Sequence, residues 1–583
     1  MTAAGHAPAA AGAPRSTIAW LLSVGFAFFV LNSLLTFENR WPGFGVSWSP
    51  RLSLELCLGC AFLIVWSAWR PALRSRAVSA LTFGFVCLVA IRYAEVTVPA
   101  VLGRPINVYW DGRHGLELWR MAAASLLPWQ QVAVVCSGLA GLAALVFMVR
   151  VAIATLARGM EWARPRLVLL ALVAALTLSF AVYEPTGRDT RWFFSLPLMP
   201  TLQQQARLLV RVMVPSHGAA VLGPGPAFGD SSYGVQGLHT AQGQADVVLM
   251  FAESYGAMTF DSPAVAAALA EPRAQLAKAV AASGRGVVTA RVRSPTFGGG
   301  SWLAHASMLS GLPMNDAGHH ELLLASERPT LVSHFARHGY RTVAWLPGIK
   351  RAWPEGTFYG YDRIADDPGI GYAGPGFGYW RIPDQAAMAL LHAQELNRDN
   401  PSESRAPRFV VFATINTHAP FHPLPPLVDD WTRLEGAHAY TAAQANAALA
   451  TPLTVQQPLP NYLQALRYQF SWLSSYLQHR APRPLVLVVV GDHQPPTLAA
   501  GPTTSWDVPV HVISDDPALL LRLQGHGFIS GLELPVATLG PMHNLTAVLL
   551  RIFSIPGDAS QAISALADRQ ASPGVRPGTV FGS

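Results

Sequence analysis

The first third of the chain contains five long apolar runs, each close to the length of a membrane-spanning helix. Such a helix needs about 20 consecutive, mostly apolar residues. The first run is too long for the apolar region of a cleaved signal peptide, so we expect it to be retained as an anchor. The five predicted helices cover about Thr17–Leu35, Leu52–Trp69, Val78–Val98, Val132–Val149 and Leu167–Val182.

Arginines between these runs predict how the helices are oriented. Several lie between the second and third runs and between the fourth and fifth: Arg70, Arg74, Arg76, Arg150, Arg158, Arg164 and Arg166. If these connections are cytoplasmic, the N-terminus is inside and everything after the fifth helix is outside. The bias is modest, because the remaining connections carry arginines as well.

An amphipathic segment follows the fifth run. Leu202–Val214 places apolar positions on one face and Arg207 and Arg211 on another, which predicts a helix lying on the bilayer surface. The stretch from His217 to Gly243 is rich in Gly, Ala, Ser and Pro, which is typical of a linker. The predicted organisation so far is a five-helix transmembrane anchor over 1–185, then a juxtamembrane helix and linker over 186–244.

From Ala245 onward the apolar runs become short and are separated by helical or loop segments. They show little alternation, as strands buried on both faces do. We predict an α/β catalytic domain over 245–555, with a largely parallel sheet covered by helices, and a flexible tail over 556–583. The predicted strands are Asp246–Ala252, Gly286–Val292, Thr342–Leu346, Arg408–Ile415, Leu485–Val490 and Val508–Ile513.

The composition agrees with a membrane location. A mean hydropathy of +0.29 and only 13% charged residues are unusual for a soluble protein. The net charge of +7 comes from scattered arginines with no dense run, so we expect no nucleic-acid partner. All four cysteines, Cys57, Cys60, Cys87 and Cys136, lie in the predicted anchor, so no disulfide framework supports the following domain.

The segment Ser294–Gly311 contains a candidate nucleophile, Ser301. Three glycines precede this serine, and apolar residues then recur at helical spacing until Gly311. A helix beginning there would direct its unpaired N–H groups and its positive dipole end towards an incoming anion. The alternative for this stretch is a helix-capping serine after a flexible turn, since Ser is a common N-cap.

Polar residues follow four of the predicted strands or their turns, and we expect them to meet at one edge of the sheet. Glu253, Asp492 and His493 supply two carboxylates and an imidazole, and Ser301 supplies a further oxygen. This set suits zinc or manganese better than calcium, and a second ion is left open. Metal coordination would stabilise a serine alkoxide, while His418 could protonate a departing oxygen or hold a phosphoryl oxygen.

These residues resemble the metal-dependent alkaline phosphatase and sulfatase superfamily. The segments that carry the resemblance are DVVLMFAE, SPTFGGGSWLAHASMLSG, NTHAPF and GDHQPP. An anchor followed by an outer domain is similar, as architecture, to lipoteichoic acid synthases and bacterial phosphoethanolamine transferases. The resemblance implies that Glu253, Ser301, Asp492 and His493 hold the metal, with Ser301 at the nucleophile position.

Two features depart from members of that superfamily. Sulfatases mature a Cys or Ser within a C-x-P-x-R pattern, whereas Ser301–His305 reads S-W-L-A-H and makes that chemistry doubtful. His305 replaces the arginine and is a candidate for touching the phosphoryl group. The outer domain also lacks the cysteines that phosphoethanolamine transferases usually carry, which slightly favours phosphoglycerol transfer.

One further stretch is loosely similar to the substrate-binding part of lipoteichoic acid synthases. It reads WLPGIKRAWPEGTFYGYD, from Trp345 to Asp362. Lys350, Arg351 and Trp353 within it are candidates for holding a phosphate and a glycerol or similar headgroup. A surface or packing role is the alternative for each of them.

Together these inferences predict a membrane-bound, metal-dependent transferase of a bacterial inner membrane, with its catalytic domain on the periplasmic or outer side. It would move a phosphoglycerol or phosphoethanolamine headgroup from a membrane phospholipid to a cell-envelope glycan or lipid, through a phospho-serine. A phosphate- or sulfate-ester hydrolase of the same superfamily is one alternative. A non-catalytic envelope binding protein is the other.

Overall fold

The chain divides into two compact units in a computed structural model. The first unit comprises 1–100, 105–113 and 126–210, and the second comprises 101–104, 114–125 and 211–583. The predicted tail at 556–583 lies outside the described residues. Those residues are 17–40, 43–69, 75–103, 106, 111–112, 115–124, 126–159, 163–183, 194–213, 222–226, 228, 233–350, 353–397, 405–450, 458–501 and 504–555.

The N-terminal part of the chain is helical, and all five predicted apolar runs form helices. Its helices are α1 (Thr17–Thr36), α2 (Leu54–Trp69), α3 (Ser75–Leu102), α4 (Gly115–Ala124), α5 (Pro128–Gly159), α6 (Ala163–Tyr183) and α7 (Met199–Met213). The predicted amphipathic segment forms α7, so its helical structure is confirmed. Its position on a bilayer surface stays a prediction. α4 was not predicted.

Three helices are long and apolar enough to cross a membrane, at Ala19–Thr36, Ser75–Leu102 and Pro128–Gly159. The apolar parts of α2 and α6 are shorter, at Leu54–Trp66 and Val173–Val182. The 16 residues of α2 extend only ~24 Å, less than the hydrocarbon thickness of a bilayer. The three long helices indicate a membrane protein, whereas two of the five predicted spans remain predictions.

Ionisable residues in these helices have structural partners. Glu55 Oε1 accepts the backbone N–H groups of Leu198 (3.1 Å) and Met199 (3.2 Å) at the start of α7. Arg92 pairs with Glu95 at 3.2 Å and also donates to a backbone carbonyl just beyond the end of α1. These charges therefore hold elements of the first unit together, and their presence does not require a transport pathway.

A nine-stranded sheet forms the centre of the second unit. Its strands are β1 (Asp246–Ala252), β2 (Gly286–Arg293), β3 (Arg341–Trp345), β4 (Arg363–Ala365), β5 (Arg408–Ala413), β6 (Leu485–Gly491), β7 (Asp507–Ser514), β8 (Ile529–Ser530) and β9 (Thr538–Pro541). The strand order is β4-β3-β5-β1-β6-β7-β2-β8, with β9 also paired to β2. All six predicted strands are present, while the short strands β4, β8 and β9 were not predicted.

The sheet is mixed, which corrects the prediction of a largely parallel sheet. β4, β3, β5, β1 and β6 pair in parallel, but β7 runs antiparallel to both β6 and β2, and β8 runs antiparallel to β2. The apolar pattern of β7 correctly indicated burial along its whole length. Strand direction depends instead on the connection, and the described part of the chain between β6 and β7 contains the four-residue helix Thr497–Ala500.

Helices cover both faces of this sheet. Alternate residues of β1 enter different apolar clusters, Val248 and Met250 on one side and Val247 and Leu249 on the other. The carboxyl ends of the parallel strands therefore lie at one edge of a covered sheet. The helices are α8 (Met258–Asp261), α9 (Pro263–Ala268), α10 (Ala270–Ala282), α11 (Ser301–Ser310), α12 (Ala317–Leu324), α13 (Leu331–Arg337), α14 (Gly356–Tyr359), α15 (Asp367–Ile370), α16 (Asp384–Leu391), α17 (Ala442–Ala450), α18 (Pro458–His479), α19 (Thr497–Ala500), α20 (Pro517–Gln524) and α21 (Met542–Ser554).

Candidate metal centre

Ser301 occupies the first position of α11, and its hydroxyl does not cap the helix. The N-cap is Gly300, with φ of 78°, and no side chain caps this end. Gly298 and Gly299 also have positive φ, 64° and 141°, a region that favours glycine because it has no Cβ. The capping alternative for Ser301 is therefore wrong, and its hydroxyl is available for other contacts.

The Ser301 hydroxyl lies between a carboxylate and an imidazole. Its Oγ is 3.1 Å from Glu253 Oε2 and 3.1 Å from His493 Nε2. Glu253 follows β1 and His493 follows β6, and these neighbouring parallel strands end at the same edge of the sheet. Glu253 and His493 are buried, whereas Ser301 remains partly exposed. The reactive oxygen is thus reachable while its two neighbours are held in the interior.

Asp492 completes this cluster. Its Oδ1 accepts the backbone N–H groups of Ser254 (2.8 Å) and His493 (2.7 Å). Its Oδ2 is buried, has no hydrogen-bond partner, and lies 3.5 Å from His493 Nε2. A cation bound to this buried oxygen would offset the cost of its burial.

The two carboxylates of the cluster ionise unequally. Burial, and then the nearby charge of Glu253, raises the pKa of Asp492 well above its usual range. Burial also opposes ionisation of Glu253, but the imidazoles of His418 and His493 and the Ser254 hydroxyl outweigh it and lower its pKa to about 2. Two buried carboxylates this close repel each other, and a cation between them would remove that repulsion.

The residues present fit a divalent metal ion. Among the described residues, one group could hold such an ion: ligand atoms of Glu253, Asp492 and His493 lie within 4.8 Å of one another. Two carboxylates and an imidazole are ligands that zinc and manganese accept. His493 Nδ1 lies 2.7 Å from the Gln494 carbonyl, and an N–H placed there leaves the Nε2 lone pair for a ligand.

The glycine turn before Ser301 is tied to the loop that carries Asp492 and His493. Gly298 donates its backbone N–H to the Gln494 carbonyl at 3.1 Å, and the Ser294 hydroxyl donates to the Asp492 carbonyl at 2.5 Å. The start of α11 therefore has a defined position relative to the metal-binding residues. These bonds place Ser301 beside them despite the sequence distance.

His418 lies in the loop after β5, which is fastened to the backbone of Glu253. Thr414 Oγ1 accepts the Glu253 N–H at 3.0 Å, and Thr417 Oγ1 donates to the Glu253 carbonyl at 2.6 Å. His418 Nδ1 is 2.7 Å from the carbonyl of the next residue, and its ring meets Trp380 edge-on at 4.8 Å between centroids. With Nδ1 so engaged, Nε2 is the nitrogen left for proton transfer.

Asp384 is a residue that the sequence analysis did not identify, and it holds the His418 loop. Its two carboxylate oxygens accept the N–H groups of Ile415 (2.7 Å) and Asn416 (2.9 Å), while Asn416 Oδ1 accepts the Asp384 N–H (2.7 Å). Burial raises the pKa of Asp384 to about 7. It stands in a segment with no distinctive pattern, so no signal in the sequence distinguished it from other acidic residues.

His305, a predicted substrate contact, lies one helical turn after Ser301. Its ring lies against Phe251 of β1, tilted by 31° with the ring centroids 4.1 Å apart, and its Nε2 is buried without a hydrogen-bond partner. Burial lowers the pKa of His305 to about 4, so the ring is neutral at pH 7. A neutral imidazole cannot supply the charge of the arginine that sulfatases have at this position, and a phosphoryl contact stays a prediction.

Lys350 is linked to the His418 loop through aromatic rings. Its Nζ lies 3.4 Å from the Tyr379 ring centroid and 5.4 Å from that of Trp380, which in turn contacts His418. The ammonium also bonds the Tyr379 carbonyl. Such cation–π contacts hold a flexible lysine in one region, and a phosphate contact by Lys350 stays a prediction.

Trp353, a second candidate from this stretch, makes packing contacts. Trp353 stacks on Tyr359 at 5.8 Å, and a side chain at Gly356 would meet its ring at 2.6 Å. These are packing contacts of a half-buried indole. Arg351 lies outside the described residues. The roles of both in substrate binding therefore stay predictions.

The fold and the cluster define a class of protein: an α/β domain with a serine at a helix start beside a carboxylate–imidazole group that suits a metal. Residues 247–512 match the family model described as Sulfatase. This part of the chain therefore matches the Sulfatase family model, and the resemblance drawn from the sequence is confirmed at that level. A search of curated proteins finds no match.

Several solved structures are similar at low identity. One is a protein of the alkaline phosphatase superfamily from Vibrio parahaemolyticus, with 15% identity over 60% of this chain and 75% of that one, and a TM-score of 0.33. Another is the Streptococcus pyogenes phosphoglycerol transferase GacH, with 15% identity, 57% and 81% coverage and a TM-score of 0.33. The Listeria monocytogenes lipoteichoic acid synthase LtaP has 12% identity, 58% and 77% coverage and a TM-score of 0.32.

Proposed function

We propose that the protein is a membrane-bound, metal-dependent transferase that moves a phosphoglycerol or phosphoethanolamine headgroup from a phospholipid to a cell-envelope glycan or lipid. The observation that carries this proposal is the position of Ser301 Oγ, 3.1 Å from both Glu253 Oε2 and His493 Nε2 at the exposed start of a helix. A serine so placed is a candidate nucleophile for an anionic ester. The helix N-terminus favours the charge of such a substrate.

The first step forms a bond between Ser301 Oγ and phosphorus and breaks the phosphorus–oxygen bond to diacylglycerol. The Ser301 hydroxyl donates to the Glu253 carboxylate at 3.1 Å, and Ser301 releases its proton to solvent through its exposed face as Oγ attacks. His418 Nε2 gives a proton to the departing diacylglycerol oxygen. In the second step the acceptor oxygen bonds to phosphorus as the bond from phosphorus to Ser301 Oγ breaks. His418 takes up the acceptor's proton, and the departing Ser301 oxygen takes a proton from solvent.

Glu253, Asp492 and His493 are the residues that would hold the metal ion, with the Ser301 hydroxyl as a further oxygen ligand. When bound, a divalent cation supplies stabilisation of negative charge on oxygen in this site. The unpartnered Oδ2 of Asp492 supports this assignment, because a cation would satisfy it. The backbone bonds to Asp492 Oδ1 and the His493 Nδ1 contact orient these two side chains before anything binds.

The first turn of α11 supports chemistry on an unmodified serine. The residues after Ser301 lack the Pro and Arg of the sulfatase maturation pattern. His305, at the arginine position, is uncharged at pH 7 because burial lowers its pKa to about 4. Ser301 itself is therefore the attacking group.

The three long apolar helices support a lipid donor. They indicate that the chain is attached to a bilayer, where phospholipid headgroups are concentrated. We place the second unit on the periplasmic or outer side of a bacterial inner membrane, on the basis of the arginine distribution along the N-terminal helices. Tethering to the donor's own surface raises its effective concentration.

The proposal is tested by incubating the full-length protein in lipid vesicles with labelled phosphatidylglycerol or phosphatidylethanolamine and measuring diacylglycerol release. We expect release from one of these donors, and at least ~10³-fold slower release from Ser301→Ala. Ser514→Ala is the control, because Ser514 is buried at the end of β7 that lies away from Ser301. Equal release by Ser301→Ala and wild type would show that Ser301 is not the nucleophile.

A hydrolase is the second candidate, and the match to the Sulfatase family model favours it. Water and a sugar hydroxyl would use the same nucleophile and the same proton donor, so site geometry does not separate them. Product analysis with and without envelope glycans distinguishes transfer from hydrolysis. A labelled headgroup attached to glycan supports transfer, whereas free headgroup phosphate as the sole product in both reactions supports hydrolysis.

A further inference from the structure

We propose that Ser254 is a positioning residue that holds both carboxylates of the metal site in their binding geometry. This inference rests on the proposed metal site of Glu253, Asp492 and His493. Ser254 follows Glu253 directly, and it is buried, with 1% of its surface exposed. It touches neither Ser301 nor a reacting atom, so any effect on the reaction would act through the metal ligands.

The side chain of Ser254 is bonded to one carboxylate and its backbone to the other. Its hydroxyl donates to Glu253 Oε1 at 2.8 Å, and its backbone N–H donates to Asp492 Oδ1 at 2.8 Å. One oxygen of each carboxylate is thereby occupied. The remaining oxygens are Glu253 Oε2, which faces Ser301, and Asp492 Oδ2, which has no hydrogen-bond partner.

The backbone of Ser254 adopts a conformation that favours glycine. Its φ is +55°, and it is one of two non-glycine residues with positive φ among those the structure describes. Positive φ is unfavourable for an L-residue that has a Cβ, so contacts with surrounding residues must impose this conformation on Ser254. This conformation lets one residue direct its N–H to Asp492 and its hydroxyl to Glu253.

Neighbouring contacts hold this strained turn. The Ser254 carbonyl accepts the Tyr462 hydroxyl at 2.6 Å. The turn also packs closely on the loop after β6, since a side chain at Gly491 would lie 1.9 Å from the Tyr255 carbonyl and one at Gly256 would lie 1.7 Å from Gln494 Oε1. The turn is therefore fixed from both sides.

The hydroxyl has a specific consequence for Glu253. The hydrogen bond from Ser254 to Oε1 opposes rotation of the Glu253 carboxylate, so Oε2 keeps its direction towards Ser301. Without that bond the carboxylate is free to rotate about its last side-chain bond. A metal ion would then have to order it on binding, which lowers the affinity.

The test measures metal affinity rather than activity. Full-length protein stripped with chelator is titrated with Zn²⁺ and, separately, with Mn²⁺, for the wild type, Ser254→Ala, Ser254→Gly and Ser514→Ala. Glycine removes the hydroxyl but suits positive φ, so it separates the hydrogen bond from the backbone conformation. Ser514→Ala is matched in burial and also loses one hydrogen bond, from the Asp516 N–H. Unfolding temperatures of the metal-free proteins are recorded in parallel.

For the ion that the wild type binds, we expect the affinity of both Ser254 variants to be about 10- to 100-fold weaker than the wild-type affinity. The affinity of Ser514→Ala should be unchanged. Metal-free Ser254→Gly should unfold at or above the wild-type temperature, which shows that the lost affinity is not lost folding. Wild-type affinity in both variants overturns the role of Ser254 while leaving the metal site standing. Wild-type affinity in Ser254→Gly alone overturns the role of the hydroxyl. A wild type that binds neither ion overturns the metal site itself.

Discussion

Ser301 Oγ and Glu253 Oε2 lie 3.1 Å apart although 48 residues separate them in the chain. Glu253 is at the carboxyl end of β1, and Ser301 begins the helix after the glycine turn that follows β2. β1 and β2 are not neighbours in the sheet, because β6 and β7 lie between them. The glycine turn and its bond to Gln494 therefore bring the serine across the sheet edge to the carboxylate.

Removing the ligand with the unpartnered oxygen should abolish metal binding. Asp492→Asn keeps the shape of the side chain but removes a negative charge, so we expect Zn²⁺ or Mn²⁺ affinity to fall by about 100-fold or more and transfer to fall with it. Isothermal titration of stripped protein measures the affinity. Because burial and Glu253 already disfavour the ionised form of Asp492, metal-free Asp492→Asn should be at least as stable as wild type. A large loss of stability would contradict this.

Replacing His418 should slow the reaction without releasing the metal. We expect His418→Gln to lower kcat for diacylglycerol release by about 10²- to 10⁴-fold, the usual range for loss of a general acid. Zn²⁺ or Mn²⁺ affinity should remain within about twofold of wild type. A donor whose leaving group needs no proton, such as a nitrophenyl phosphodiester, should be affected much less. An equal loss with both donors would exclude His418 as the acid.

Stability should depend on pH through Asp384. Its folded pKa of about 7 lies above the usual value, so the folded state holds the proton more tightly than the unfolded state. The unfolding free energy should therefore fall as pH rises from about 4 to 7, by at most ~4 kcal/mol. Asp384→Asn has no carboxyl to titrate at this position, so its unfolding free energy should lack this fall. The wild-type value minus the variant value should therefore decrease as pH rises over that range. A difference that is constant with pH in thermal unfolding would contradict the assignment.

Lys350 should affect substrate binding more than the chemical step. We expect Lys350→Ala to raise KM for the phospholipid about tenfold and to change kcat by less than about twofold, because a phosphate contact held throughout the reaction is uniform binding. Steady-state kinetics on vesicles separates the two constants. Lys278→Ala, at an exposed lysine of α10, is the control and should change neither. A fall in kcat for Lys350→Ala with constant KM would place the lysine in the chemistry instead.

A buried ion pair at the other end of β1 should affect stability alone. Asp246 is fully buried, and its carboxylate accepts from Arg405 at 2.6 and 3.1 Å and from the Arg408 N–H at 2.8 Å. Asp246→Asn leaves a guanidinium without its partner, and we expect a loss of about 3 kcal/mol or more. Transfer per folded molecule should stay at the wild-type rate. Chemical unfolding and an activity assay at low temperature measure the two quantities.

The strands were predictable because burial leaves a mark on each segment separately. Runs such as Asp246–Ala252 and Leu485–Val490 are apolar almost throughout because helices cover both faces of the sheet. Burial requires apolar residues in these strands whichever strands lie next to them. The direction of β7 was not predictable, since an apolar run reads the same for either direction. The short strands β4, β8 and β9 form at sheet edges, where pairing leaves a weaker pattern.

The sequence by itself determined the resemblance of the α/β domain to the sulfatase superfamily and the residue types of its site. These are a serine after three glycines, carboxylates and a histidine after apolar strands, and a histidine in a loop. These signals are local, so neighbouring residues suffice to carry them. Only the tertiary structure decided that Gly300 rather than Ser301 caps α11, that Asp492 Oδ2 has no partner, and that Ser254 and Asp384 hold the ligands and the His418 loop. Such roles depend on contacts between segments far apart in the chain, so the residues adjacent in sequence do not reveal them.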